Sequence, residues 1–111
     1  MAAVEDVTVW VDRLVDVVEP ALRDRSRWPR ATYRLQFLKD HLTFRDAAVI
    51  VPYLAELGVS HVYASPCRRA RPGSPHGYAI VDYNSLNPEL GTEDDYRAMV
   101  AGLHAHQMGQ I

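Results

Sequence analysis

The stretch that decides the fold reads TFRDAAVIVPYLAELGVSHVYASP and runs from Thr43 to Pro66. Thr43 and Asp46 have the spacing of a capping box, in which each side chain accepts a hydrogen bond from a backbone N–H at the start of a helix. The apolar residues that follow recur at helical spacing and predict one buried stripe: Ala47, Ile50, Val51, Leu54 and Leu57. Gly58 is placed to take the left-handed conformation that ends helices. Residues 59–64 then predict a short strand, which the following Ser-Pro pair ends.

On the N-terminal side of this stretch, the period of the sequence changes from helical to alternating. Tyr33, Leu35 and Phe37 alternate with Arg34 and Gln36, which is the pattern of a strand whose two faces meet different surroundings. Arg34 and Gln36 therefore point to the same side of the strand. The turn after this strand contains no glycine, so the chain lacks the glycine-rich loop of dinucleotide-binding folds.

On the C-terminal side, a connection of about 25 residues follows the second strand, which is long for an α/β protein. It includes residues 74–92, SPHGYAIVDYNSLNPELGT, which are rich in aromatic and turn-forming residues. Ligand sites of parallel α/β proteins form where strands pass into helices, so this connection is a candidate site. Thr92 and Asp95 form a second capping box, followed by a predicted buried face: Tyr96, Met99, Val100 and Leu103. Gly109 is expected to end this helix, and residues 110–111 to begin a third strand.

Residues 1–30 form a separate N-terminal region. Apolar residues at alternating three- and four-residue steps predict an amphipathic helix with one face: Val4, Val7, Val11, Leu14, Val18 and Leu22. Pro20 is expected to kink or end this helix, and its apolar face to pack on a neighbouring domain. A polar linker over residues 23–30 marks the best internal boundary of the chain.

The order of elements predicts an α/β protein. Helix, strand, helix, strand, long connection, helix and strand start imply right-handed crossovers and parallel strands, as in a (β/α)8 barrel or a doubly wound sheet. Because no glycine-rich loop follows the first strand, the barrel is favoured. The predicted fold is a partial (β/α)8 TIM barrel, made of the first two to three β/α units and preceded by the N-terminal amphipathic helix.

Composition limits the classes of function. The chain has 111 residues, of which 48% are hydrophobic and 23% charged, and its formal net charge of -2 offers no basic field for nucleic acid. Its one cysteine, Cys67, cannot form an internal disulfide, which favours a cytoplasmic protein. No apolar run is long enough to span a membrane. The histidines lack the spacing of a metal site, so neither a metal nor a cofactor is predicted.

Four segments together resemble the maltooligosyltrehalose synthases of the α-amylase superfamily, glycoside hydrolase family 13. They are ATYRLQF at residues 31–37, VPYL at residues 51–54, LGVSHVYASP at residues 57–66, and residues 70–92. The resemblance extends to the end of the sequence and leaves the N-terminal region uncovered. It therefore divides the chain into residues 1–30, a helical extension with its linker, and residues 31–111, the N-terminal part of an amylase-type catalytic barrel.

The resemblance implies an enzyme that converts the reducing-end α-1,4 linkage of a maltooligosaccharide into an α,α-1,1 linkage by intramolecular transglucosylation. In the superfamily the catalytic aspartates and glutamate come from barrel strands later than the third. No catalytic residue is therefore expected in this chain, which would be an N-terminal fragment without activity of its own. A fragment of an α-glucan hydrolase and a non-catalytic remnant are the alternatives.

The resemblance carries over only contacts with the glucan substrate. Tyr78, in the His-Gly-Tyr segment, matches the family tyrosine that stacks on the sugar, although an aromatic side chain packed on the barrel rim is also consistent with it. His76 is expected either to hydrogen-bond a sugar hydroxyl or to support the loop. Arg34 and Gln36 are expected near the site or in a polar layer that fills the barrel. Asp82 is expected to bind substrate or to orient the loop.

Overall fold

The computed structural model describes residues 6–25 and 28–111. Its elements in chain order are α1 Val7–Arg25, β1 Thr32–Leu35, α2 Phe44–Glu56, β2 His61–Ala64, β3 Arg68–Ala70, β4 Ile80–Leu86, α3 Glu93–Ala105 and β5 Gly109–Gln110. β1, β2 and β5 form a parallel sheet with β2 in the middle, and β3 and β4 pair as an antiparallel hairpin. The predicted α/β architecture with parallel strands is confirmed.

The helices α2 and α3 begin at the predicted capping boxes. The Asp46 carboxylate accepts the Thr43 N–H at 2.8 Å, and the Thr43 hydroxyl accepts the Asp46 N–H in return. Thr92 and Asp95 repeat this arrangement at the start of α3. Each pair satisfies two backbone donors that the start of a helix otherwise leaves free. Gly58 has a φ of 87° just after α2, as predicted for the end of that helix.

The core lies between the parallel sheet and the helices α2 and α3. Phe44, in the first turn of α2, is fully buried and contacts the rings of Phe37 and Tyr96 edge-on, at centroid distances of 5.4 and 5.2 Å. Edge-on pairs of this kind add to the stabilisation from burial itself. The buried residues of this cluster are Leu35, Phe37, Phe44, Ala47, Val51, Leu54, Val59, Val62, Leu90, Met99, Leu103 and Met108.

An ion pair joins the first turns of α2 and α3. The Arg45 Nε donates to Asp95 Oδ1 at 2.7 Å, while the other oxygen of the same carboxylate caps α3. The Arg45 guanidinium, together with hydrogen bonds from Thr92, lowers the pKa of the Asp95 carboxyl to about 2. The ionised Asp95 side chain therefore both caps the start of α3 and links that helix to α2.

The connection after β2 is not one long loop, and the prediction of such a loop is wrong. β3 and β4 pair within it, with shifts in register on both sides of Arg69. The hairpin escapes sequence analysis because β3 has only three residues, two of them arginines, and the register shifts interrupt the alternation of side chains. The loop proper shrinks to residues 71–79.

The N-terminal helix differs from its prediction in two respects. α1 continues through Pro20 to Arg25, so the proline does not end it and the expected linker begins inside the helix. On an exposed helix the carbonyl freed by a proline can bind water, which makes the proline tolerable. Val4 lies outside the described residues, and the rest of the predicted face is 45% to 69% exposed, so the described structure does not bury it. No helix in the described ranges is long and apolar enough to cross a membrane.

Two further boundary predictions are wrong. Leu57, expected in the buried stripe of α2, caps that helix and is 57% exposed. α3 ends at Ala105, and Gly109 lies in β5, where it pairs with His61. A Cβ on Gly109 would lie 2.7 Å from His61 Cδ2, so this glycine is required by the close approach of two strands and not by the end of a helix.

Candidate functional site

The chain segments that leave β1 and β2 are tied together. Ser65, directly after β2, donates its N–H to the Leu35 carbonyl at 2.9 Å and accepts the Phe37 N–H on Oγ at 2.7 Å. Ser65 is buried, and a buried donor or acceptor without a hydrogen-bond partner would destabilise the fold. The carboxyl ends of parallel strands are where α/β proteins build ligand sites. Sequence analysis missed this positioning serine, since the Ser-Pro pair signalled only the end of a strand.

The His-Gly-Tyr segment forms a compact turn beside this strand end. Gly77 is buried with a φ of 76°, a conformation that favours glycine, and it donates its N–H to Ser74 Oγ at 3.2 Å. The Tyr78 N–H donates to His76 Nδ1 at 2.9 Å. Because a backbone N–H can only donate, Nδ1 must be unprotonated, and the ring proton lies on Nε2. Among the described residues Nε2 has no hydrogen-bond partner, so this N–H is available as a donor.

Four of the five residues expected to contact substrate form one hydrogen-bonded cluster: Arg34, Gln36, His76 and Tyr78. Arg34 Nη2 donates to Gln36 Oε1 at 2.7 Å and to the Tyr78 hydroxyl at 2.9 Å. Gln36 Nε2 donates to the His76 carbonyl at 2.9 Å and to the Phe37 carbonyl at 3.2 Å. Arg34 of β1 and Gln36, directly after this strand, thus hold the His-Gly-Tyr turn beside the end of β1.

The Tyr78 ring is the most accessible apolar surface of this cluster. Its side chain is 51% exposed, and its ring centroid lies 5.8 Å from that of His76 at an angle of 48°. A half-exposed aromatic ring with a fixed hydroxyl and a neighbouring N–H donor suits a ligand that has both an apolar face and hydroxyl groups. The cluster has no carboxylate, so it can bind and orient a ligand but supplies no carboxylate nucleophile.

Asp82, the fifth residue, is separate from this cluster in its hydrogen bonding. Its carboxylate accepts from the Ser85 hydroxyl at 2.6 Å and from the Asn84 N–H at 2.8 Å, within β4. These bonds, with the charges of Arg69 and Arg68 nearby, lower the pKa of Asp82. In the described residues it makes no hydrogen bond to the other four, and its bonds are local to β4.

Cys67 is not an activated nucleophile. Burial raises the pKa of its thiol to about 11, so the thiolate is scarce near neutral pH. Its Sγ accepts a long hydrogen bond from Gln110 Nε2 at 3.8 Å and donates to the Ser65 carbonyl at 3.6 Å. Across the described ranges, no three His, Cys, Asp or Glu side chains are grouped as metal ligands.

An open cleft of about 700 Å³ lies between β4 and the start of α3. Arg68, Asn84 and Tyr96 are among its lining residues, and none of the four cluster residues lines it. The cleft is therefore distinct from the cluster at the strand ends.

Comparison with known proteins places this fold in a defined family. The family model described as "Alpha amylase, catalytic domain" matches residues 49–111. A putative maltooligosyl trehalose synthase of Mycobacterium tuberculosis is 40% identical over 85 residues, covering 73% of this chain and 11% of that protein. The structure of maltooligosyltrehalose synthase from Arthrobacter ramosus is 37% identical, with a TM-score of 0.70, and covers 75% of this chain and 11% of that one.

A third relative gives the same result. A hypothetical maltooligosyl trehalose synthase of Sulfolobus tokodaii, of known structure, is 43% identical with a TM-score of 0.68, and the match covers 76% of this chain. The chain spans about a tenth of the length of these relatives, 11% in each case. The parallel sheet and its helices therefore match one part of an amylase-type TIM barrel.

Proposed function

Because the chain belongs to the α-amylase family of catalytic domains, we propose that residues 31–111 form the N-terminal part of the barrel of a maltooligosyltrehalose synthase. Such an enzyme converts the reducing-end α-1,4 linkage of a maltooligosaccharide into an α,α-1,1 linkage. The substrate of the whole enzyme is thus an α-glucan with a free reducing end. Residues 1–30, which include α1, are proposed as an amphipathic extension outside the barrel.

The observation that carries this proposal is the Tyr78 ring, half exposed and held beside the carboxyl ends of β1 and β2. A pyranose has an apolar face of C–H groups, which an aromatic ring contacts well. The bond from Arg34 and the turn at Gly77 orient the ring before a sugar arrives, which reduces the entropy lost on binding. The His76 Nε2–H is proposed to donate to a hydroxyl of the same sugar.

The proposed role of this part of the barrel is binding and orientation, and the bond-making carboxylates lie elsewhere. Retaining glycoside chemistry needs a carboxylate nucleophile and a second, acid/base carboxyl about 5 Å away. We propose that both come from later barrel strands, as in the rest of the superfamily. Tyr78 and His76 would contact the sugar, and Arg34 and Gln36 belong to the same site. Asp82 is proposed to orient the loop through its bonds within β4.

A hybrid enzyme tests this function directly. Residues 31–111 replace the aligned segment of the Arthrobacter ramosus synthase, and the hybrid is incubated with maltopentaose. We expect reducing ends to disappear without release of free glucose. Tyr78→Ala should lower kcat/KM by about tenfold, the scale of one lost sugar–aromatic contact. Tyr83→Ala, which removes a 72% exposed tyrosine of β4 outside the cluster, is the matched control and should leave kcat/KM unchanged.

The outcomes separate the proposed activity from its alternatives. A hybrid that releases reducing sugar would favour the α-glucan hydrolase. A folded hybrid without activity, or one in which both tyrosine variants behave alike, would contradict the proposal. The 111-residue chain alone should form no trehalosyl ends, because none of its cluster residues supplies a carboxylate.

A further inference from the structure

The donors of Gln36 are fully used inside the cluster. A glutamine amide has two N–H groups, and those of Gln36 are directed to the carbonyls of His76 and Phe37. Its Oε1 accepts from Arg34. Gln36 therefore has no N–H left for a sugar hydroxyl unless it abandons the turn that it supports.

Arg34 Nη2 is committed in the same way. This nitrogen has two N–H groups, and one is directed to Gln36 Oε1 and the other to the Tyr78 hydroxyl. The bond to Gln36 restrains the Arg34 guanidinium beside its own strand, so the group that donates to the Tyr78 hydroxyl is held in a fixed orientation. Arg34 lies in β1 and Gln36 follows directly after its last residue, so the two side chains are close enough to bond.

We infer that Arg34, held in place by Gln36, is a positioning residue that sets the orientation of the Tyr78 ring and acts on substrate through that ring. This inference rests on the proposed function, since it assigns a role within the proposed sugar site. It changes the expectation for Arg34 and Gln36 from direct substrate contact to support of the residues that make that contact. A hydrogen bond to a charged donor restrains a half-exposed ring more strongly than a neutral one.

A double-mutant cycle in the hybrid enzyme tests the inference. Arg34→Met removes the donors, and Tyr78→Phe removes the hydroxyl that receives one of them while keeping the ring. If Arg34 acts only through Tyr78, then each single variant and the double variant should lower kcat/KM by the same factor, about fivefold to tenfold for one charge-assisted hydrogen bond. Arg34→Lys, which retains a donor, should recover part of the loss. Thr32→Val, on the same side of β1, is the control.

The competing outcomes are distinct. If Arg34 touches the sugar itself, then the two single losses multiply in the double variant, and the inference is overturned. It is also overturned if Tyr78→Phe has no effect while Arg34→Met does. Tyr78 is an exposed loop residue, so the Tyr78→Phe variant should fold normally. Its kcat/KM can therefore be interpreted even if Arg34→Met does not fold.

A spectroscopic readout separates this inference from the proposed function. In the 111-residue chain labelled with ¹³C in the tyrosine rings, Tyr78→Phe assigns one of six tyrosine signals. Arg34→Met should shift that signal, Arg34→Lys should largely restore it, and Thr32→Val should leave it in place. If the hybrid is inactive but the Tyr78 signal shifts as expected, then the proposed function is refuted and the positioning role of Arg34 is not. If the hybrid is active but the Tyr78 signal does not shift in Arg34→Met, then the positioning role of Arg34 alone is refuted.

Discussion

Phe44 should be the most sensitive single position for the stability of the fold. Its side chain is fully buried and lies between the end of β1 and the start of α3, with Phe37 and Tyr96 edge-on against it. Truncation of a buried phenylalanine to alanine costs about 3–5 kcal/mol in free energy of unfolding, including the cavity that remains. The two ring pairs contribute roughly 0.5–1.5 kcal/mol each to that total. Phe44→Leu keeps most of the volume and should cost about 1.5 kcal/mol.

Urea denaturation followed by far-ultraviolet circular dichroism measures this effect. Fluorescence is less suitable, because Trp10 and Trp28 are 56% and 78% exposed and lie outside the core. Tyr53→Ala, at a 61% exposed position of α2, is the control and should stay within about 0.5 kcal/mol of the parent. If Phe44→Ala were as stable as Tyr53→Ala, the packing described between the sheet and the two helices would be incorrect.

Two further predictions concern a charge and a glycine. Asp95 has a pKa of about 2 in the fold against 3.8 as its ordinary value, so its contribution is complete above about pH 4 and is lost as the pH falls through about 2. Between these pH values the unfolding temperature should therefore depend less on pH in Asp95→Asn than in the parent chain. This decrease should be smaller in Asp46→Asn, because among the described residues Asp46 caps its helix without an ion pair. Equal pH profiles for the two variants would contradict this reasoning. Gly109→Ala should lower the unfolding temperature, because its Cβ would meet the His61 ring at 2.7 Å. Gly102→Ala, in α3 with nothing within 4 Å of the new Cβ, should raise stability by about 0.5–1 kcal/mol, and a similar response of both glycines would refute the proposed strand contact.

The helices after β1 could be predicted well because their signals are local. A capping box brings together groups only three residues apart, and an apolar stripe follows from the helical repeat alone. Thr43 and Thr92 accordingly begin α2 and α3 where the sequence indicates. The apolar pattern also identified most of the buried residues of these helices, and it failed at Leu57, which lies where α2 has already ended.

The β3–β4 hairpin was missed because its sequence lacks the regular alternation of polar and apolar residues by which strands are recognised. β3 has three residues and pairs with β4 across register shifts, so neither strand shows sustained alternation over the paired region. Gly109 was misread for a related reason. Glycine commonly ends helices, but the close approach of His61 on a neighbouring strand is a contact between residues distant in sequence.

The candidate site was also predicted only in part. Its residue types were identified from the sequence, through the His-Gly-Tyr turn and the alternation that places Arg34 and Gln36 on one side of a strand. Their connection was not, because Tyr78 and Arg34 are 44 positions apart and meet only when β1 and the turn after the hairpin strand β3 come together. Asp82 shows that closeness in sequence is not enough, since it lies four residues from Tyr78 yet, among the described residues, its hydrogen bonds stay within β4.

By itself, then, the sequence determined the helices α2 and α3 and the parallel α/β class, since capping, periodicity and alternation depend on neighbours along the chain. Only the tertiary structure decided which polar groups satisfy one another. Gln36 uses both of its N–H groups on backbone carbonyls, and Arg34 uses Nη2 to join Gln36 to Tyr78. Hydrogen bonds form over about 3 Å and in a fixed direction, so they depend on where folding places each atom and not on the order of residues in the chain.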